Sequence, residues 1–368
     1  MNKKKLIIFM PFIGGGGVEK NLFLISNYLH NKINNLIVCT SSRSKRGKFN
    51  NKINFLFTKK EFSEETNIRI KYLFCLLVLF KYLIKNRNCV VLSFQANIYC
   101  IIICKIMGVK IIVRSNSSPS GWYHNFLKKN IYRMIISLAD EVIVNSLDFK
   151  KQMKNRFKLN VKCIFNPLNK KEIIKNSKET LSEEFFNVKK KCLKILNMGR
   201  LTEQKDQITL LRTAKMLKQK LNFRLLIFGR GIEKIKLQKF ISKNNLKKYV
   251  KLRDFVDNPH PIIKKTDIFI LSSKYEGLPN VLLEAATLKK LIFSTNCPTG
   301  PREILSNGKG GVLFKVGDYK ELVKKIYSFS KNRNKFKSKV IYAYNHLDRY
   351  DFDKNLNKYF LTIKSYLS

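Results

Sequence analysis

The chain predicts an α/β fold of two doubly wound domains, each a parallel sheet flanked by helices. Three observations carry this expectation. Short apolar runs alternate with helix-period segments along almost the whole length, the pattern of parallel strands joined by crossover helices. At 368 residues and 45% hydrophobic content, the chain is long enough for two cores. A polar, charge-rich stretch without a strong period, residues 169–191, divides the alternation into two series.

The first series opens with Leu6-Ile7-Ile8-Phe9-Met10, a short buried strand. Gly14-Gly15-Gly16-Gly17 follows, then a helix with apolar residues at 22, 25, 28 and 29. Strand, glycine loop and helix N-terminus form a geometry that receives phosphate, because unpaired N–H groups and the helix dipole face the anion. No Gly-Lys-Ser/Thr follows, so this is not a Walker loop, nor is it a Gly-x-Gly-x-x-Gly fingerprint. Glycine loops also make plain turns. Further strands are expected at 35–40, 90–93, 110–113, 141–145 and 161–165, with helices at about 68–86, 96–107, 122–138 and 146–156. The second series begins at Cys192-Leu193-Lys194-Ile195-Leu196-Asn197-Met198 and continues through strands near 223–228, 250–252, 267–271, 290–294 and 311–314. At the end, Leu356, Tyr359, Phe360, Ile363 and Leu367 fall at amphipathic helical spacing.

The formal charge of +48 is far from ordinary, and it is divided as +23 over residues 1–170 and +25 over the rest. It is therefore not a basic tail. Much of it is Lys in company with Asn and Ile, which genome bias alone produces. The functional alternative is attraction to an anionic surface, either nucleic acid or the inner face of a membrane. No helix-turn-helix, zinc or RNP motif supports nucleic acid. The eight cysteines contain no Cys-x-x-Cys pair and read as reduced core residues of a cytosolic protein. The four histidines are far apart, so neither a metal site nor a cofactor is expected. The apolar run after Lys3-Lys4-Lys5 meets glycines rather than a cleavage site, so no secretory signal is expected. Residues 73–80 are too few to span a bilayer, and 98–112 carry Lys105 and Lys110. Residues 68–85 could form an interfacial helix, with Arg69, Lys71, Lys81 and Lys85 bracketing the apolar centre. That centre is apolar all round, which favours a core helix, and membrane attachment would then rest on the wider basic surface.

The most informative stretch is Ser272-Ser273-Lys274-Tyr275-Glu276-Gly277-Leu278-Pro279-Asn280-Val281-Leu282-Leu283-Glu284-Ala285-Ala286, which follows the apolar run 268–271. It reads as strand, tight loop and helix. Gly277 permits the turn, and Pro279 suits a first helical turn. Glu284 stands inside an apolar helix, where a carboxylate must find partners or shift its pKa. A ligand with two adjacent hydroxyls would be such a partner; a solvated helix edge is the bland alternative. After the first strand of the second half comes Gly199-Arg200-Leu201-Thr202-Glu203-Gln204-Lys205, and Phe228-Gly229-Arg230-Gly231 closes the next strand.

The Glu-x7-Glu spacing of Glu276 and Glu284, with Gly277-Leu278-Pro279-Asn280 between, resembles the signature of retaining nucleotide-sugar glycosyltransferases of family four, which have the GT-B fold. Gly199-Arg200-Leu201 with Lys205 resembles the same family's Gly-Arg-Leu…Lys motif. Val18-Glu19-Lys20 after the glycines is similar to its Gly-Gly-x-Glu-Arg region, with Lys for the usual Arg. Val144-Asn145-Ser146 and Phe165-Asn166-Pro167-Leu168 resemble landmarks near the end of the first domain. Cys297-Pro298-Thr299-Gly300-Pro301-Arg302-Glu303-Ile304 resembles a subgroup that often handles N-acetylated hexosamines in bacterial surface polysaccharide and lipid-linked oligosaccharide assembly. The likeness is strongest over about 193–315 and weaker over 1–170.

The resemblance implies two Rossmann-like domains with an active site in the cleft between them: 1–168 on the acceptor side, 169–191 a linker, 192–346 for the nucleotide sugar, and 347–368 a helix crossing back. It implies Glu276, Arg200 and Lys205 as catalytic residues. Gly16, Gly17, Gly229, Arg230, Gly277, Leu278, Pro279, Asn280 and Glu284 would bind the donor, with Glu284 on the ribose hydroxyls and Glu276 facing the sugar. A departing diphosphate gains negative charge, and one fixed cation there is worth on the order of 2.5–4 kcal/mol in the barrier. Many relatives have a histidine after the strand ending at Arg114-Ser115-Asn116-Ser117-Ser118-Pro119. This loop has none, so Arg114 or Asn116 is the acceptor-side candidate, and His124 is expected on the next helix. Loop charges seldom hold a core, so substituting Glu276 or Lys205 is expected to leave stability little changed. The implied partners are a nucleotide-sugar donor with uridine as the expected base, a glycan or polyprenyl-diphosphate-linked acceptor, and an anionic membrane surface, without nucleic acid. The rival readings are a basic nucleic-acid-binding protein and an inactive sugar-binding relative.

Overall fold

The computed structural model describes residues 4–63, 66–116, 125–180, 183–188 and 192–368. The chain divides into two compact units, residues 1–167 with 352–368, and residues 168–351. Each is built on one all-parallel sheet.

The first sheet contains β1 (Lys5–Phe9), β2 (Leu36–Thr40), β3 (Asn54–Phe57), β4 (Cys89–Ser93), β5 (Lys110–Ser115), β6 (Glu141–Val144) and β7 (Lys162–Cys163), in the order β3-β2-β1-β4-β5-β6-β7. The central strands β2 and β4 are buried along their whole length, as strands covered on both faces must be. β3 was not anticipated from sequence. It is a half-exposed edge strand of four residues, with Phe55 and Phe57 stacked in parallel at 5.0 Å beneath the guanidinium groups of Arg46 and Arg43. Such a strand lacks the continuous apolar run that marks its neighbours.

Helices α1 (Gly17–His30), α2 (Ile68–Lys85), α3 (Asn97–Ile106), α4 (Phe126–Ser137) and α5 (Leu147–Phe157) connect these strands. Asn67, Asn125 and Ser146 accept backbone N–H bonds from the first turns of α2, α4 and α5, which fixes where those helices start. One face of the sheet carries a core with side chains from α2 to α5; the other is covered by α1 and residues Leu356, Tyr359 and Ile363. α2 is a core helix on one face only. Cys75, Leu76, Leu79 and Leu83 enter the core, while Leu73, Leu77, Phe80 and Ile84 are exposed, so only half of the all-round apolar surface is core.

The second sheet contains β8 (Leu193–Met198), β9 (Phe223–Phe228), β10 (Val250–Arg253), β11 (Ile268–Leu271), β12 (Leu291–Thr295) and β13 (Val312–Phe314), ordered β10-β9-β8-β11-β12-β13. Around it lie α6 (Lys170–Asn176), α7 (Gln207–Leu217), α8 (Lys234–Lys243), α9 (His260–Lys265), α10 (Asn280–Thr287), α11 (Pro301–Ile304), α12 (Tyr319–Lys331) and α13 (Lys337–Asn345). The segment 169–191 is not all irregular. It holds α6, started by the Asn169 side chain accepting from the Glu172 N–H, and a 3-10 turn at Glu184–Phe186. A seven-residue helix burying only Ile173 is too short to show a period in sequence. The last helix, α14 (Phe352–Leu367), packs on α1 and β4 within the first unit. No helix among the described residues is long and apolar enough to cross a membrane.

Candidate active site

In the second unit the strand order reverses between β8 and β11, and doubly wound sheets bind ligands at the carboxyl ends of strands flanking such a point. Regular pairing of these two strands covers only Ile195 with Ile268 and Leu196 with Phe269. At the next rung the Asn197 side-chain amide donates to the Ile270 carbonyl at 2.8 Å. The strands part there, bridged by a side chain. The segments leaving them at this point are Gly199-Arg200 and residues 272–279.

These two loops are stitched together. Ser272 Oγ donates to the Lys205 carbonyl at 2.8 Å, the Lys274 N–H to the Gln204 carbonyl at 2.8 Å, and Gln204 Nε2 to the Tyr275 carbonyl at 2.9 Å. The result brings Lys205, in the 3-10 turn Glu203–Lys205, onto Glu276. Lys205 Nζ donates to Glu276 Oε1 at 2.5 Å, and Ser273 Oγ donates to the same oxygen at 2.6 Å. The Thr299 hydroxyl donates to the Glu276 carbonyl. The two charged side chains are only 16% and 8% exposed. This corrects the expectation that these are loose loop charges. They form a largely buried pair, and removing one partner would strand the other in a poorly solvated place. Arg200, by contrast, is exposed, and its backbone carbonyl accepts from Gln207 Nε2 at 3.0 Å.

Two glycines are required by close backbone approach. A Cβ on Gly229 would lie 1.9 Å from the Gly199 carbonyl oxygen, so the turn after β9 can nestle against the one after β8. The Leu201 N–H donates to the Arg230 carbonyl at 2.8 Å across the same contact, which leaves the Arg230 side chain exposed. Gly300 has φ +66°, and a Cβ there would stand 1.9 Å from the Gly277 carbonyl oxygen. The 297–301 turn thus lies directly against the Glu276-Gly277 backbone. Burial pushes the Cys297 thiol in this turn up to about 12, and the charge of Glu276 adds to the effect.

Leu278 and Pro279 are buried beside this turn, and Asn280 begins α10. Glu284 sits one helical turn further on and is 5% exposed. α10 is surrounded by α6, α9, α11, α13, β11 and β12, so this is no solvated helix edge. Sequence reasoning had singled out Glu276 and Lys205 but not the hydroxyls that hold them. Ser273, Thr299 and Gln204 stand within the longer motifs without an assigned role. Only the serine pair 272–273 just after a buried strand gave any signal.

In the first unit the reversal falls between β1 and β4, and the glycine loop leaves β1 there. Gly16 and Gly17 are exposed at the start of α1. A Cβ on Gly16 would come within 3.1 Å of Glu19 Oε2, so this carboxylate folds back over the loop. Arg114 is not on an accessible acceptor side. It is fully buried; its Nε donates to Tyr359 Oη at 2.8 Å and its Nη2 to Asn166 Oδ1 at 2.6 Å, with Phe94 stacked against it. Lying on β5 with its side chain turned to the α14 face, it anchors that helix instead. Asn116 is half-buried, its Nδ2 donating to the Phe94 carbonyl at 2.8 Å. Ser117, Ser118, Pro119 and His124 lie outside the described residues. Among the described residues no group of three or more His, Cys, Asp or Glu side chains could hold a metal ion.

Residues 178–346 match the family described as Glycosyl transferases group 1. A glycosyltransferase of Methanocaldococcus jannaschii is 36% identical over 206 residues, covering 54% of this chain and 51% of that protein, so the chain spans about half the length of this relative. The N-acetylgalactosamine-N,N'-diacetylbacillosaminyl-diphospho-undecaprenol 4-alpha-N-acetylgalactosaminyltransferase of Campylobacter jejuni is 25% identical over 97% of this chain and 100% of its own. Among solved structures, Anabaena Alr3699/HepE in complex with UDP-glucose superposes with a TM-score of 0.77 at 16% identity, over 98% of this chain and 99% of the other. Those superpositions bear on the fold alone. The family match places residues 178–346, most of the second unit, with the glycosyl transferases of group 1, and both doubly wound units have the GT-B fold of the solved neighbour.

Proposed function

We propose that the protein is a retaining transferase that moves a hexose or N-acetylhexosamine from a uridine diphosphate sugar to a lipid-linked glycan, in cell-surface polysaccharide or lipid-linked oligosaccharide assembly. The observation that carries this reading is the Lys205–Glu276 pair at the carboxyl ends of β8 and β11, with exposed Arg200 on the same loop. The second unit takes the donor. Arg200 and Lys205 neutralise the diphosphate as its charge grows, the work a metal ion does in other transferases. The α10 N-terminus at Asn280 adds its dipole, and Glu284 receives the ribose hydroxyls. Glu276 is an orienting group rather than a nucleophile: its Oε1 is already engaged by Lys205 and Ser273, and Oε2 is left to accept from a sugar hydroxyl. Bond making and breaking then occur on one face of the sugar. The C1–O bond to the leaving phosphate breaks, the C1–O bond to the acceptor forms, and the acceptor hydroxyl proton passes to the leaving phosphate oxygen.

The first unit takes the acceptor, with Gly16 and Gly17 at the glycine loop and Asn116 as its remaining candidate side chain. The lipid-linked acceptor is supported by the Campylobacter relative, which is named for a diphospho-undecaprenol substrate. A second relative from the same organism, 24% identical over 88% of each chain, is named for a similar PP-undecaprenol substrate. A protein working on such a substrate resides peripherally on the inner membrane face. Incubating the purified protein with UDP-glucose, UDP-N-acetylglucosamine and UDP-N-acetylgalactosamine and following UDP release tests the reading. UDP release from at least one donor, enhanced by an undecaprenyl-diphosphate glycan and giving an α-linked product, is expected. No UDP release from any of the three, or a β-linked product, overturns it.

A further inference from the structure

We propose that the outer faces of α2, α3 and α4 form one docking surface that seats the first unit on an anionic lipid bilayer, by apolar insertion as well as charge. The proposal rests on the lipid-linked acceptor and names the surface through which the protein would reach it.

Of the 24 exposed large hydrophobic side chains among the described residues, 15 fall between residues 68 and 138. That is a fifth of the chain, so this is not the scatter of single apolar groups that every soluble surface shows. They follow helical spacing on three helices that pack side by side, α2 on α3 and α3 on α4. On α2 the exposed stripe includes Leu73, Leu77, Phe80 and Ile84, on the side opposite Cys75, Leu79 and Leu83 in the core. On α3 it is Tyr99, Ile102 and Ile106, the last 73% exposed. On α4 it is Leu127, Ile131 and Met134, of which Leu127 is 70% exposed. The inner faces of these helices need their apolar residues for the core; the outer ones have no such use.

Charge decides the occupant. Residues 66–139 contain 11 Lys and Arg and no Asp or Glu, although the chain as a whole carries 25 acids. Arg69, Lys81, Lys128 and Arg133 are exposed beside the apolar stripes. Lys71 and Arg114 are buried, and Lys105 and Lys110 pair with Asp140. A helix layer with apolar side chains outward and exposed cations such as Arg69, Lys81, Lys128 and Arg133 beside them is still complementary to an anionic headgroup layer above acyl chains. It is poorly suited to a second copy of itself, since a symmetric contact would bring like charges together. Long Lys and Arg stems can lie along the apolar surface while their heads reach the phosphates.

The test is cosedimentation with vesicles of equal parts phosphatidylcholine and phosphatidylglycerol, against phosphatidylcholine alone. Wild type is expected to bind the anionic vesicles and to retain part of that binding at high salt, where screened charge alone would release it. Leu77→Glu with Ile131→Glu should lower partitioning by about tenfold or more. Leu77→Ser with Ile131→Ser, gentler on the fold, should lower it less but in the same direction. Lys81→Gln with Lys128→Gln should lower binding at low salt and leave the salt-resistant fraction. Wild type that ignores anionic vesicles, serine and glutamate variants that bind as wild type does, or a wild-type dimer that these variants turn into monomer would each overturn the proposal. UDP release in vesicle-free solution should be the same in all variants. Its absence from every one, wild type included, would sink the transferase reading while leaving the vesicle result to stand or fall alone.

Discussion

Lys205 Nζ lies 2.5 Å from Glu276 Oε1, and the two come from loops 71 residues apart that leave adjacent strands. The pair is a piece of the fold as well as of the proposed donor site. A double-substitution cycle separates the two contributions. Glu276→Gln should lower turnover at least ~100-fold. Lys205→Ala should do the same, and each substitution should also destabilise the protein by about 3 kcal/mol, because it leaves a largely buried charge without its partner. Lys205→Met combined with Glu276→Gln should recover most of the stability and none of the activity. Urea melts and UDP release measure the two sides. Wild-type activity in either single variant would remove both residues from the site.

The contact of Gly300 with Gly277 makes a steric prediction. Gly300→Ala must both hold a side chain at φ +66° and push the Gly277 carbonyl aside. It should cost about 3 kcal/mol or more and lower donor affinity, since the displaced segment carries Glu276. Gly317→Ala is the control. It has φ +76° but no atom within 4 Å of the added Cβ, so only left-handed strain of about 1–2 kcal/mol applies, with donor affinity unchanged. Equal effects of the two substitutions on donor affinity would show that the 297–301 turn does not brace the site.

Turnover is expected to persist in excess chelator. In the proposed site, Arg200 and Lys205 supply the positive charge where the leaving diphosphate develops its negative charge. UDP release should change less than about twofold between chelator and added magnesium or manganese. Loss of turnover in chelator, restored by either metal, would contradict this assignment of the two cations.

Asp140 gives a pH prediction for the first unit. Burial pulls its pKa upward, but hydrogen bonds from Lys105, the Ile111 N–H and Lys110 outweigh that and hold it below the usual carboxylate range. A carboxyl depressed in the folded state stabilises it above the unfolded pKa, and this is lost as pH falls through the folded value. Asp140→Asn should therefore destabilise the protein by about 2 kcal/mol at neutral pH, and the gap to wild type should close in acid, below about pH 4. Urea midpoints of both proteins across that range are the measurement. A gap that stays constant into acid would mean that the ionised carboxylate contributes nothing.

What the sequence by itself determined is local. The apolar runs at β1, β8 and β11 are buried on both sides, so their hydrophobicity is continuous and visible. The motifs 199–205 and 276–284 are short, and residues close in the chain are bound to stay close in space. Tertiary structure decided everything that depends on which distant segments meet. Composition could not separate the two faces of α2, because both are apolar and only packing against the sheet distinguishes Leu79 from Leu77. Arg114 looked like a free loop-end cation until β5 turned it toward Tyr359, 245 residues away. Lys205 and Glu276 each read as a catalytic charge on a loop with little part in stability. Their burial comes from the parting of β8 and β11 at Asn197, a feature of sheet geometry that no spacing in the chain records.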